Sequence, residues 1–250
     1  MKKKIHIFLF VIFLDIFLIK ALESSIKSFN KYSYQDIKEV EFLLTEKIPE
    51  FNLKSRDIIK IINSLKRFDK KNLPKKTVVN GKIKYSYRKL PNEPQKTIEE
   101  IETLIKNPEK TTKYEVFIKK GLLTLLSNEI KILIKDLPEI NPSGQWFHKD
   151  KTVIINKKIF KEGTIKFAHL LSHEMIHIAQ SCKGGSFDSY PNLLGLELKK
   201  PKSYYYKYLD NDIYKDLKKN DVVLEIEAYA NQAEISQTLN AFKYFCLKQK

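Results

Sequence analysis

The chain has 250 residues, of which 42% are hydrophobic, and 46 Lys and Arg stand against 30 Asp and Glu for a formal net charge of +16. That hydrophobic share excludes a chain disordered by composition, and the length allows one large domain or two small ones, either with a real core. Residues 151–250 carry 16 basic and 11 acidic side chains, a net of +5, which leaves +11 on residues 1–150. A basic excess favours anionic partners, but no RNA-binding signature and no Cys/His finger spacing accompanies it. The charge therefore reads as a solvated Lys-rich surface, and no specific nucleic acid is expected.

In chain order, Lys2, Lys3 and Lys4 precede an apolar run from Ile5 to Ile19, broken by His6 and Asp15. A positive stretch before a short apolar one resembles an export signal; an uncleaved anchor ranks second, because a span needs roughly 20 apolar residues. Residues 1–22 are thus expected to export the chain or attach it to a membrane, with a cytoplasmic chain as the alternative. Ser33 is expected to cap a helix carrying Ile37, Val40, Phe42 and Leu44. Ser55 is expected to cap another carrying Ile58, Ile59, Ile62 and Leu65. Asn80-Gly81 predicts the turn of a hairpin over 78–88. Thr97 predicts the start of a short helix with Ile98, Ile101, Leu104 and Ile105, and a longer apolar helix is expected from Tyr114 to Lys135, stopped by Leu137-Pro138.

The cluster Pro138, Pro142 and Gly144 predicts a boundary. Residues 30–140 are read as a mainly helical region of unknown role and residues 145–250 as a second, functional domain. Trp146 to Ile155 reads as two short strands about a polar turn. Thr164 is expected to open a helix through at least Gln180, ended by Gly184-Gly185. Residues 186–220 read as irregular with short helices, and a final helix is expected from about Val222 to Leu247. Cys182 and Cys246 lie in no CxxC pair, which argues against a cysteine zinc site; they could form one disulfide in an exported chain.

Residues 173–177 read His-Glu-Met-Ile-His. Positions four apart on a helix lie one above the other, so His173 and His177 present two imidazoles from one face, suited to one Zn²⁺. Glu174, turned by about 100°, stays near the metal without having to bind it, where it can take a proton from an activated water. With 5 His and 19 Glu in the chain, chance would produce this pattern in roughly one such chain in a hundred. Its apolar helical setting, with Phe167, Ala168, Leu171, Met175 and Ile178, lowers that risk further.

A catalytic zinc takes three protein ligands, and no third donor follows at close spacing. The best source is Leu224-Glu225-Ile226-Glu227-Ala228-Tyr229-Ala230-Asn231, where Ala228 and Ala230 permit close packing against the motif helix. Glu225 and Glu227 point in roughly opposite directions, so one of them can face the metal. Glu227 is the expected ligand, with Glu225 supporting the site or facing solvent, although the order of the two stays open.

His173-Glu174-Met175-Ile176-His177-Ile178-Ala179-Gln180 with Glu227-Ala228-Tyr229-Ala230 resembles the HExxHxxQ…EAxxxA pattern of the small bacterial zincin-like domains called DUF4157, within the gluzincin metallopeptidases. The resemblance covers roughly residues 145–240. It implies an α+β zincin-like fold with a short β-hairpin, a motif helix and a C-terminal ligand helix. It also implies Zn²⁺ held by His173, His177 and Glu227, Glu174 as general base, and a peptide or protein substrate lying along a strand edge supplied by residues 145–156. The pattern often carries Asp where this chain has Tyr229, so another group must orient the ligand histidines. The leading expectation is a zinc metallopeptidase; the rival is a zincin-like metal-binding and interaction module without turnover.

Overall fold

A computed structural model of the chain describes residues 50–89, 94–138, 142–209, 214–215 and 217–247. The expected leader and the helix expected after Ser33 lie outside these residues. Strands β1 (Glu50–Asn52), β2 (Lys75–Val79) and β3 (Lys82–Ser86) enclose helix α1 (Ile58–Asn72), and α2 (Ile98–Lys106) and α3 (Thr112–Ser127) follow. Then come β4 (Lys131–Lys135), β5 (Gly144–Phe147), β6 (Thr152–Asn156), α4 (Lys158–Lys161), α5 (Thr164–Lys183), α6 (Lys202–Leu209), α7 (Lys219–Asn231) and α8 (Ile235–Phe242). The architecture is α+β. No helix among the described residues is long and apolar enough to cross a membrane.

Several local expectations hold. Asn80 and Gly81 adopt the positive φ values of a two-residue hairpin turn joining β2 to β3. Thr97 caps α2 reciprocally with Glu100, its side chain accepting from the Glu100 N–H. Ser55 instead opens a 3-10 turn that leads into α1, with no side-chain cap bond at Asp57.

Two elements differ. The helix expected from Tyr114 to Lys135 ends at Ser127, because the Asn128 amide bonds back to the Thr124 carbonyl and Glu129 takes a left-handed φ. Lys131-Ile132-Leu133-Ile134-Lys135 then alternates as strand β4, burying Ile132 and Ile134. The final helix expected from Val222 to Leu247 breaks after Asn231 into α7, α8 and a π turn over Lys243–Leu247. There Asn231 turns its amide onto the Glu227 carbonyl and competes with the helical ladder.

The main sheet has the order β1-β4-β6-β5. β4 runs parallel to β6, while β1 and β5 flank them antiparallel. The sheet therefore takes strands from both sides of Pro138–Gly144, and the boundary expected there does not divide the described residues. One apolar cluster runs from Leu53 and Ile58 through Phe117, Leu122 and Val153 to Phe167, Met175 and Phe242. α3 and α5 pack so closely at Gly121 that a Cβ there would meet Leu171 and Met175 at 3.1 Å.

Candidate metal centre

The motif helix α5 starts at a cap from the N-terminal part of the chain. The Asp69 carboxylate accepts from the Thr164 N–H (2.8 Å) and the Thr164 hydroxyl (2.5 Å), satisfying donors that a helix start leaves free. Gly163 takes φ +90 beside it, and a Cβ there would lie 2.2 Å from Asp69 Oδ1. From this anchored start the helix carries His173, Glu174 and His177 into a cleft of about 230 Å³. Trp146, His148, Pro191, Tyr214 and Leu217 also line it.

The two imidazoles converge: His173 Nε2 and His177 Nε2 are 3.0 Å apart. The carboxylate that meets them belongs to Glu225, with Oε2 3.3 Å from His173 Nε2 and Oε1 3.4 Å from His177 Nε2. One donor atom from each of the three residues lies within 4.8 Å of the others. Two ligands on a tetrahedral zinc, each 2.0–2.1 Å from the ion, stand roughly 3.3–3.4 Å apart. The observed separations lie near that spacing, with each Glu225 oxygen facing one imidazole, so the donor set is compatible with a zinc ion.

Glu227, expected as the third donor, is not part of this cluster. It points the other way from α7 and is buried. Its Oε2 accepts from Gln180 Nε2 (2.9 Å) and the Leu194 N–H (2.8 Å), and its Oε1 from the Gly195 (2.7 Å) and Leu196 (2.9 Å) N–H groups. Four donors use up a carboxylate's accepting positions. The two glutamates do diverge as helix geometry requires; the pattern could not say which one takes the loop, because Leu194-Gly195-Leu196 carries no sequence signal beyond one glycine, at φ +81.

Gln180 links the two glutamates' roles. Its Nε2 donates to Glu227 and to the Leu224 carbonyl (3.1 Å), which leaves its Oε1 facing His177 Nδ1 at 2.8 Å. A carbonyl oxygen only accepts, so Nδ1 carries a proton and Nε2 is the nitrogen turned to Glu225. This is the tautomer a metal requires, set by a partner two atoms removed. His173 has no equivalent: its buried Nδ1 is without a hydrogen-bond partner among the described residues, and its ring stands edge-on to Tyr229 at 4.5 Å.

Glu174 is 2% exposed and lies against β5, where a Cβ on Gly144 would sit 2.8 Å from its Oε1. Burial raises its proton affinity, and Glu225 adds to this; the imidazoles and the Trp146 N–H act in the opposite direction. Burial works to lower the His177 imidazole, but Glu225, followed by Glu174 and Gln180, pushes it up to about 9. Burial likewise works to raise Glu225, yet the two imidazoles hold it well below the usual carboxylate range.

His148, His169 and the tyrosines of 190–208 are spread out. His148 lines the cleft with Nδ1 3.0 Å from the Asp188 carbonyl oxygen. His169 is half-buried beside Tyr114 and outside the donor cluster. Tyr204, Tyr206 and Tyr208 are exposed on α6, with Tyr205 buried among them, and Tyr190 is exposed. The tyrosine in the cleft is Tyr214, which sequence gave no reason to single out; its hydroxyl is 2.7 Å from that of Tyr229. Cys182, in the last turn of the motif helix, is joined to Cys246 by a disulfide. Compared with known proteins, the chain matches no family model, no curated protein and no solved structure.

Proposed function

We propose that the chain is a zinc-dependent hydrolase of the metallopeptidase type with a zincin-like catalytic unit, in which His173, His177 and Glu225 hold the metal and Glu174 is the general base. The observation that carries this reading is the convergence of three donor atoms from two facing helices, beside the buried Glu174 carboxylate, whose Oε2 has no hydrogen-bond partner among the described residues. Zinc bound there supplies a Lewis acid and a water of lowered pKa. Glu174, with its raised proton affinity, takes the proton of the attacking water and passes it to the leaving amine. The outer edge of β5, at the end of the sheet, offers backbone groups to an extended peptide. The Tyr214 hydroxyl is positioned to donate to the carbonyl oxygen as it gains charge. The disulfide supports an oxidising compartment, in keeping with an export signal or anchor in residues 1–22.

The test is elemental analysis of the purified chain combined with peptide hydrolysis. Wild type is expected to carry one zinc, and His177→Ala little or none. Glu174→Gln should keep the metal and lose at least 100-fold in turnover. A metal-free wild type would overturn the proposal, as would full turnover in Glu174→Gln.

A further inference from the structure

Asp221 lies on the first turn of α7, four residues and about 6 Å of helix axis before Glu225. Positions four apart share a helix face, and both residues line the cleft. The wall around them is apolar: Trp146 and Leu224 are buried, and Pro191 and Leu217 stand beside them. Such a wall accepts the aliphatic stem of a long cationic side chain while its head reaches a carboxylate.

The charges of the cleft are unequal in what they face. Glu225 is met by two imidazoles, and Glu174 lies next to the same pair. Asp221 is bonded instead by the hydroxyl of Tyr190, an uncharged donor that orients the carboxylate. No lysine or arginine is among the described residues that line the cleft, although the chain carries 46 of them. An acidic pocket in so basic a surface draws cations and turns acidic ligands away.

We propose that Asp221 selects the substrate: the cleft binds peptides that place a lysine or arginine side chain one subsite from the bond to be cut, with its cationic head on the Asp221 carboxylate. The identification of the ligand as a peptide rests on the peptidase reading. A helix-dipole role for a first-turn aspartate would stabilise α7 without sorting ligands by charge, so selectivity is the quantity that separates the two.

The experiment uses the zinc-loaded full chain carrying Glu174→Gln, titrated by fluorescence anisotropy with blocked hexapeptides that differ by Lys, Leu or Glu at one position, scanned along the peptide. At one position Lys should bind about tenfold more tightly than Leu, with Glu weakest, and added salt should narrow the gap. Asp221→Asn in the same background should erase the preference, and Asp221→Lys should turn it toward Glu. Equal binding of the three peptides at every position, no binding of any, or a Lys preference that survives Asp221→Asn would overturn the proposal. Zinc content and wild-type hydrolysis of the same peptides are measured alongside. A Lys preference that depends on Asp221 in a chain that cuts none of them would count against the peptidase reading while upholding Asp221 as the group that selects a cationic side chain.

Discussion

Two positions on an α-helix differ by about 200° in direction, and α7 uses that rotation to set two glutamates to unlike tasks. Glu225 faces the imidazoles, while Glu227 gathers Gln180 and three loop amides. Glu225→Ala is expected to abolish tight zinc binding because it removes a donor. Glu227→Ala keeps all three donors and frees Gln180, so zinc affinity should fall about 10–100-fold. Competition with a chromophoric chelator measures both, and equal losses would contradict the division of labour. In the metal-free chain, His177 is raised from 6.5 to about 9. A value above the unfolded one stabilises the fold fully below about pH 6.5 and is lost as pH climbs through 9. Glu225 is shifted downward, so its share is present above its unfolded value near 4.5 and vanishes on acidification. Thermal melts with chelator should therefore fall from pH 6.5 to 9, whereas zinc affinity should rise over that range as the ligand imidazole sheds its proton. A chelated chain whose melting point rises over that range would refute the pairing.

At the scale of elements, the motif helix rests on β5 with little room to spare. Gly144→Ala would drive a methyl group into Glu174 Oε1 and the Leu170 side chain, each 2.8 Å from the new Cβ. The expected result is a turnover loss of about tenfold or more with zinc content unchanged, since a shift of the base on the order of 1 Å is costly while the donors stay in place. Normal kinetics in this variant would argue against a catalytic Glu174. What sequence made legible here follows from local physics. Thr97 with Glu100, Asn80-Gly81, and the Gly184-Gly185 end of α5 each carry their signal within a few residues. β4 was hidden because Ile130-Lys131-Ile132-Leu133-Ile134 continues an apolar helical pattern, and a parallel neighbour 21 residues later decides it as strand. The break between α7 and α8 rests on one asparagine amide, and α5 is capped by an aspartate 95 positions away, which no local window contains.

At the scale of all the described residues, the sheet and the largest core cluster draw on both sides of the boundary expected from composition. Pro138, Pro142 and Gly144 mark a loop inside one sheet, since β4, which carries β1 on one edge, pairs with β6 from the other side. The meeting of His173 and His177, with Glu174 beside them, was readable because a fixed spacing on one helix brings them together. Which glutamate meets the imidazoles was not, because it depends on a loop that takes the carboxylate of Glu227. The disulfide adds long-range stability. Closing a span of 64 residues is worth about 4 kcal/mol by loop entropy. Cys182→Ser with Cys246→Ser should lower unfolding free energy by that order in denaturant titrations, and a change below about 1 kcal/mol would indicate that the bond matters little. The same bond encloses Glu225 within a covalent ring fastened five residues past His177. A peptide bond severed anywhere from Gly184 to Phe245 would leave one molecule on a non-reducing gel and two pieces after thiol treatment. Such a nicked chain keeps its acidic donor tethered near its histidines, so proteolysis in this stretch would not by itself disperse the metal site until the bond is reduced.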